Sequence, residues 1–400
     1  MNKRSFLSAP LRIGLITPAW PGSHSANGIA TTIAHLARGL EACGHEVTII
    51  PFSTDASHNF SRVVPIPTLC WRLTERVWHK FSRDPEGIAH RHIGHQIVTA
   101  VQEAITRHRI EVLVMEETHG WAATVCRHIP IPVVVTLHGP WCLHKEFLGN
   151  SKTGIEREKR EFKGLRLAQG ITAPSRDTLE RTAALCSLLD IPRTVIHNPI
   201  LVPPASNKSD PTRILFVGRF DFLKGGDVVI EAFARIAGKH PSCRLTFVGP
   251  DRGLERPGFA PLSLAEAVST LPETVRTRID IKGQCSREEV AALRLSHGLT
   301  IVASRFETFS CTMSEAMAAG SALVCTRSVG GAEILSEGET ALLIPPDDPQ
   351  ALAEACLKLL GDPELTRKIG ASARAYVRHH LSPEAIGQQT ADFLASFCRN

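Results

Sequence analysis

"RFETFSCTMSEAMAAG" (Arg305–Gly320) follows the apolar run "LTIVAS" and carries two carboxylates, Glu307 and Glu315, with seven residues between them. A short β-branched run, a polar turn and a small-residue helix ending at glycine read as a strand-to-helix turn, with Ser310 or Thr312 as the helix cap. Open α/β sheets bind ligands at such turns, outside the carboxyl ends of their strands. The helix start offers free N–H groups and partial positive charge, which suit a phosphate. Glu307 in the loop and Glu315 in the first helical turns border that space, where a carboxylate can accept hydrogen bonds from sugar hydroxyls. The plain alternative is an acid that stabilises a helix start. The run "AMAAG" allows close packing of the helix on its sheet.

Strand-like and helix-like runs alternate on both sides of this turn. "LRIGLITP", "HEVTIIPF", "EVLVMEE", "IPVVVTLHG" and "GITAPS" are short β-branched strands, and helical patterns such as "IATTIAHLARGLEACG" and "SRDTLERTAALCSLL" separate them. The alternation stops at "NPILVPPASNKSDPT" (Asn198–Thr212), a linker rich in Pro, Ser and Asn, and then restarts with "RILFVG". Two doubly wound parallel sheets follow, covered by helices on both faces. The domain limits expected are 1–200 and 201–381, with an amphipathic tail helix over 382–400.

The other strand-to-helix turns supply further candidates. In "TPAWPGSHSANGIATT", Gly28 permits close approach of backbone to an anion at a helix start, although no GxGxxG fingerprint is present. In "TLHGPW", His138 stands at the end of a strand, with Trp141 just beyond it. "EETHG" ends its strand in the same way and offers Glu117 and His119. In "VGRFDFLKGGD", Arg219 and Lys224 lie beside a glycine pair, where a planar fork and a mobile point charge can clamp a phosphate. For each, the plain alternative is a solvated or structural side chain. There is no GxxxxGK[ST] loop, no GxSxG elbow and no Asp-x-Asp metal motif.

Composition narrows the classes. Hydrophobic residues make up 43% and charged residues 21%, as in soluble globular chains, and the net charge of +5 is too small to imply nucleic acid. It fits a phosphate-bearing ligand or an anionic surface. The eleven cysteines form no CxxC pair, which fits reduced thiols in the cytoplasm. No apolar run approaches the ~20 residues that span a bilayer, and Pro10 and Arg12 interrupt any signal-peptide core.

The chain resembles the retaining GT-B glycosyltransferases of family 4. "FVGRFDFLKGGDVVIEAF", "SRFETFSCTMSEAMAAGSALV", "SVGGAEIL" and "ALLIPPDDPQALAEA" look like that family's C-terminal donor domain, and Glu307 and Glu315 match its Glu-x7-Glu motif. "NGIATTIAHLARGLEACGHEV", "TLHG" and "ITAPS" are similar to its N-terminal domain. The resemblance implies a GT-B fold, two Rossmann-like domains facing across a cleft, with the tail helix crossing back onto the first. It implies metal-independent transfer of a hexose-type sugar from a nucleotide-sugar donor to a glycan, lipid-linked or small-molecule acceptor, with retention and without a resident cofactor. Arg219 and Lys224 then neutralise the diphosphate. Glu307 contacts the sugar, with the backbone of Phe309, Ser310 and Cys311 near sugar and phosphate. Glu315 binds the ribose, His138 lies at the reacting centre and Gly28 approaches the phosphate. Glu117, His119 and Trp141 are acceptor-side candidates. The chain departs from the family in its single turn-one glycine, Asn27-Gly28, and in Ser310-Cys311-Thr312.

Residues 71–81, "WRLTERVWHKF", lie in the least family-like region. At 100° per residue, Trp71, Leu73, Val77, Trp78 and Phe81 share one side and Arg72, Arg76, His79 and Lys80 the other. Such a basic amphipathic helix can lie on an anionic membrane or pack on the sheet. Peripheral contact with the inner face of the membrane is therefore one expectation for a cytoplasmic enzyme. Two other functions are a sugar-nucleotide epimerase or phosphorylase of the same fold, and a non-catalytic sugar-nucleotide binder.

Overall fold

A computed structural model of the chain describes residues 9–20, 28–54, 62–67, 85–149, 151–204, 209–255 and 260–398. The helix expected over 71–81 lies outside the described residues, as do residues 21–27 of the first turn. The chain forms two compact units, Met1–Pro199 with Pro383–Asn400, and Ile200–Ser382.

The first unit is built on a six-stranded parallel sheet of order β2-β1-β3-β4-β5-β6. Its strands are β1 (Arg12–Thr17), β2 (Glu46–Pro51), β3 (Val112–Glu116), β4 (Val133–Thr136), β5 (Gly170–Ala173) and β6 (Arg193–Val195). A parallel bridge from Ile49 to Val63 extends it past β2. The helices are α1 (Gly28–Ala42), α2 (Pro85–His108), α3 (Ala122–His128), α4 (Trp141–Leu148), α5 (Lys152–Leu165) and α6 (Arg176–Cys186). β3 is buried along its whole length, because helices cover both faces of a parallel sheet.

The second unit repeats the plan with β7 (Asp210–Val217), β8 (Arg244–Val248), β9 (Ile279–Gly283), β10 (His297–Val302), β11 (Ala322–Thr326) and β12 (Leu342–Ile344). Their order is β12-β11-β10-β7-β8-β9, all parallel. Its helices are α7 (Gly226–Lys239), α8 (Leu264–Ser269), α9 (Glu273–Arg276), α10 (Arg287–Ser296), α11 (Cys311–Ala319), α12 (Pro349–Gly361) and α13 (Pro363–His380). Phe216, Phe220, Phe233 and Phe247 fill the core on the α7 side. The last helix, α14 (Pro383–Cys398), belongs to the first unit and lies on α1. The approach is backbone to backbone, since a Cβ on Gly39 would fall 1.8 Å from the Pro383 carbonyl oxygen.

Asp210–Thr212, expected in the linker, instead begin β7. Pro211 is tolerated there because the first residues of a strand need no donor. Asp210 Oδ1 accepts from Thr212 N at 2.8 Å and fixes the entry.

In each sheet the chain winds one way and then the other. The strand order reverses between β1 and β3 in the first unit and between β7 and β10 in the second. The turns at these reversals are where such folds leave a crevice.

Candidate functional site

In the second unit, Gly218–Gly225 carries the chain from β7 into α7. Gly225 has φ +69°, and a Cβ there would lie 2.1 Å from the Ala303 carbonyl oxygen. Only glycine allows this turn to press against the end of β10. Asp221 organises the loop: Oδ1 accepts from Lys224 N at 2.9 Å and Oδ2 from Arg219 Nε at 2.6 Å. Lys224 then reaches across to β10's turn, with Nζ 2.9 Å from Glu307 Oε2. The other Glu307 oxygen accepts from Ser304 Oγ at 2.7 Å and from Ser310 Oγ at 3.2 Å. The side chains of Lys224 and Glu307 keep 24% and 12% exposure, so the pair is held but open to a ligand.

Ser310 is fully buried and is the N-cap of α11, where its Oγ accepts from Met313 N at 3.3 Å. Thr312 Oγ1 donates to the Val217 carbonyl at 3.3 Å and ties α11 to the end of β7. Burial, helped by Glu315 and Glu307, pushes the Cys311 thiol up to about 12. It is therefore no thiolate nucleophile at neutral pH. The Phe309 ring is buried beneath Gly331, so only its backbone can face a ligand. Gly330 packs against the same turn: its N–H donates to the Glu307 carbonyl at 2.8 Å, and a Cβ there would meet the Glu307 and Thr308 carbonyls at 2.2 Å.

Two arginines that the sequence did not single out hold this turn. Arg305 is buried, with Nη1 and Nη2 on Asp227 at 3.0 and 2.9 Å and its guanidinium 4.3 Å from the Phe222 ring centre. Arg294 on α10 is buried and bonds Glu315 through Nη2, while its Nη1 has no hydrogen-bond partner among the described residues. The Glu315 side chain remains 36% exposed. "SREEVAALRLSH" reads as a helix, but the sequence does not show which of its faces is buried, so Arg294 does not stand out in it.

The first unit gathers its candidates at the ends of β3 and β4. Glu117 is 1% exposed, and its two oxygens accept from His138 N at 2.8 Å and Gly139 N at 2.7 Å. This carboxylate binds backbone, not solvent. Burial and the neighbouring Glu161 push it up to about 8 against the pull of those amides. His138 is partly buried, and desolvation pushes its ring down to about 4, so it is neutral at physiological pH. His119 has φ +59° and its ring lies tilted against that of Trp121, with centroids 4.9 Å apart. Burial, then Arg157, holds its ring down at about 4. Trp141 begins α4, where its N–H donates to Glu161 Oε2 at 2.7 Å and its ring lies 5.1 Å from the Arg157 guanidinium. Glu161, also buried, accepts from Arg157 Nε at 2.6 Å.

The structure thus brings Arg219, Lys224, Glu307, Ser310 and Cys311 together at one reversal point, with Glu315 further along α11. It brings Glu117, His119, His138 and Trp141 together at the other unit's strand ends. Gly28 is exposed at the first turn of α1. Among the described residues, no three His, Cys, Asp or Glu side chains are grouped to hold a metal ion.

Known proteins match this architecture. Residues 202–376 match the family "Glycosyl transferases group 1" and residues 26–201 match "Glycosyltransferase Family 4". The chain belongs to the GT-B glycosyltransferases of this group 1, family 4 type. It is similar to the alpha-D-kanosaminyltransferase of Streptomyces kanamyceticus, 28% identical over 44% of each chain, so the match spans less than half of that relative. It is 24% identical to the D-inositol 3-phosphate glycosyltransferase of Streptomyces avermitilis, over 98% of this chain and 87% of the other. Anabaena HepE in complex with UDP-glucose has the same fold, with a TM-score of 0.66 at 16% identity, over 96% of this chain and all of the other.

Proposed function

We propose that this chain is a metal-independent, retaining hexosyltransferase. It moves a sugar from a nucleoside-diphosphate sugar to a glycan, glycolipid or small-molecule acceptor in polysaccharide or glycoconjugate synthesis. The observation that carries this reading is the Lys224–Glu307 pair beside the capped start of α11, at the reversal of the second sheet. A diphosphate needs positive charge and free N–H groups. Arg219, Lys224 and the α11 N-terminus offer both, and they do the work a bound cation does elsewhere. Glu307 accepts from the sugar hydroxyls and Glu315 from the ribose. His138, neutral at working pH, is assigned to the sugar's reacting centre. It can donate or accept one hydrogen bond without bringing a charge. HepE, which binds UDP-glucose, supports the donor class. Peripheral contact with an anionic membrane through residues 71–81 belongs to the same reading. Flotation with anionic vesicles tests it, and no binding removes it.

A thermal-shift panel of UDP-, GDP- and ADP-sugars tests the donor assignment. A donor at about 100 times its Kd stabilises the folded state by about 2.7 kcal/mol, a rise of several degrees. Lys224→Ala should abolish that rise. No response to any nucleotide sugar overturns the reading. Rapid epimer formation without acceptor replaces transfer with epimerisation.

A further inference from the structure

The buried acid of "EETHG" is not explained by contact with a substrate. Glu117 sits one residue past β3, the strand next to β4, and β4 leads directly into His138. Its carboxylate spends both oxygens on consecutive amides of the β4 turn, those of His138 and Gly139. Two N–H groups converging on one carboxylate define the plane and direction of that turn far better than a single bond does. The acid is itself held from below. His119 and Gly120 both take positive φ, +59° and +75°, and a Cβ on Gly120 would lie 2.2 Å from the Arg160 carbonyl carbon on α5. The chain therefore crosses α5 in close contact directly after Glu117, and the acid has little room to swing.

We propose that Glu117 is a positioning residue, whose buried carboxylate locks the His138–Gly139 backbone and so sets the direction in which the His138 ring is presented to the reacting sugar. The proposal rests on the assignment of His138 made above. An ionised carboxylate accepts both amides. A protonated one has an O–H to place and one weaker acceptor, so the lock is tightest when Glu117 is charged. The titratable groups that bear on it are Glu116 from its own strand and Glu161 from α5, both of which oppose its ionisation, while the two amides favour it. Arg157 compensates Glu161, and His119 is neutral.

The test begins without substrate. In a pH titration of the 15N-labelled full chain from 6 to 10, the amide protons of His138 and Gly139 should shift together with one apparent pKa near 8. Glu117→Gln should remove that transition, because a carboxamide sets its N–H₂ against one of the two donors. Glu116→Gln, which keeps an acceptor for Thr118, should leave it in place. Hydrolysis of UDP-glucose, GDP-mannose and ADP-glucose without acceptor supplies the functional arm. Measured at pH 9, where the parent carboxylate is charged, Glu117→Gln and the shorter Glu117→Asp should each lower the turnover number about tenfold or more, with KM changed less than twofold. If Glu117→Gln does not fold, Glu117→Asp carries the same expectation. His138 and Gly139 amide signals that do not move in Glu117→Gln, or a Glu117 variant with unchanged turnover while His138→Ala is inactive, overturn the proposal. Full turnover by His138→Ala overturns the assignment of His138 instead.

Discussion

The turns after β7 and β10 hold their polar groups by charge, whereas those after β3 and β4 hold theirs by burial and backbone amides. In the second unit, Lys224, Glu307, Arg294, Glu315, Arg305 and Asp227 form three ion pairs, each between different elements. In the first, Glu117 bonds amides, and His138 and His119 are kept neutral by desolvation. The same topology thus carries two electrostatic designs. On the function proposed above, a dianionic group at the second unit needs fixed positive charge, and the carboxylates there keep the cations in place. A reacting centre gains more from polar groups whose direction is fixed and whose charge does not compete with the one that develops.

If charge is the working principle of the second unit, then neutralising Lys224 must have the largest consequence. Lys224→Met keeps the stem that packs in the turn and removes the ammonium. The expected loss in kcat/KM is about 10²- to 10³-fold, comparable to removing one donor from a preorganised anion site. Added salt should weaken donor binding in the parent far more than in the variant, because the screened interaction is already missing there. An unchanged kcat/KM would erase the contrast between the units.

The next effect is smaller and sharper. Arg294 places a buried guanidinium beside Glu315, yet leaves Nη1 without a partner among the described residues. A buried, half-satisfied cation contributes little to stability, and an apolar isostere often equals or exceeds it. Arg294→Met should therefore leave the melting temperature unchanged or raise it, while the donor KM rises about tenfold as Glu315 loses its orientation. Glu315→Gln should raise KM by a similar factor, and the double variant should be no worse than either single one, since contacting residues are not additive. A multiplied defect would mean that the two residues act independently.

The readable part of this design was local. β-branched runs marked the strands, and strand-end positions brought out His138, Lys224, Arg219 and Glu307, because the signal and the chemistry lie within one turn. What the sequence hid was pairing between elements. Asp221 is three residues before Lys224, but its bonds to Lys224 N and Arg219 Nε are not legible in the sequence. Arg305 stood inside the stretch that decided the fold, yet its partners Asp227 and Asp347 lie on other segments. α5 was missed for a different reason. "KTGIEREKREFKGL" has no apolar stripe, and its buried face consists of Gly154, Glu161, Gly164 and Leu165. A helix that buries glycines and a carboxylate can be recognised only once its partners are known. Ser310-Cys311-Thr312 now has a role: one residue caps and bonds Glu307, one carries a protonated thiol, and one ties α11 to β7.

The smallest effect expected is in stability against pH, and it separates two groups of the first unit by sign. His138 titrates near 4 in the folded chain, below the ordinary 6.5, so the unfolded chain binds more protons between those values. Its contribution is present above 6.5 and is lost as pH falls toward 4. Glu117 titrates near 8, above the ordinary 4.5, so the folded chain binds more protons between those values. Its contribution is full below 4.5 and is lost as pH rises toward 8. Between 4.5 and 6.5 the two slopes oppose each other. Between 6.5 and 8 only the glutamate slope remains, and one and a half pH units of it amount to about 2 kcal/mol at most. Buried Glu116 and Glu161, both raised mainly by desolvation, act in the same direction and must be subtracted. The comparison is therefore between parent and Glu117→Gln, by urea unfolding at pH 6.5 and pH 8. The parent should lose about 1–2 kcal/mol more than the variant on going to the higher pH. Equal losses would mean that the carboxylate is already ionised at 6.5, held open by its two amides. In that case the first unit would also keep a fixed charge at its centre, and the contrast with the second would narrow to where the counter-charge sits.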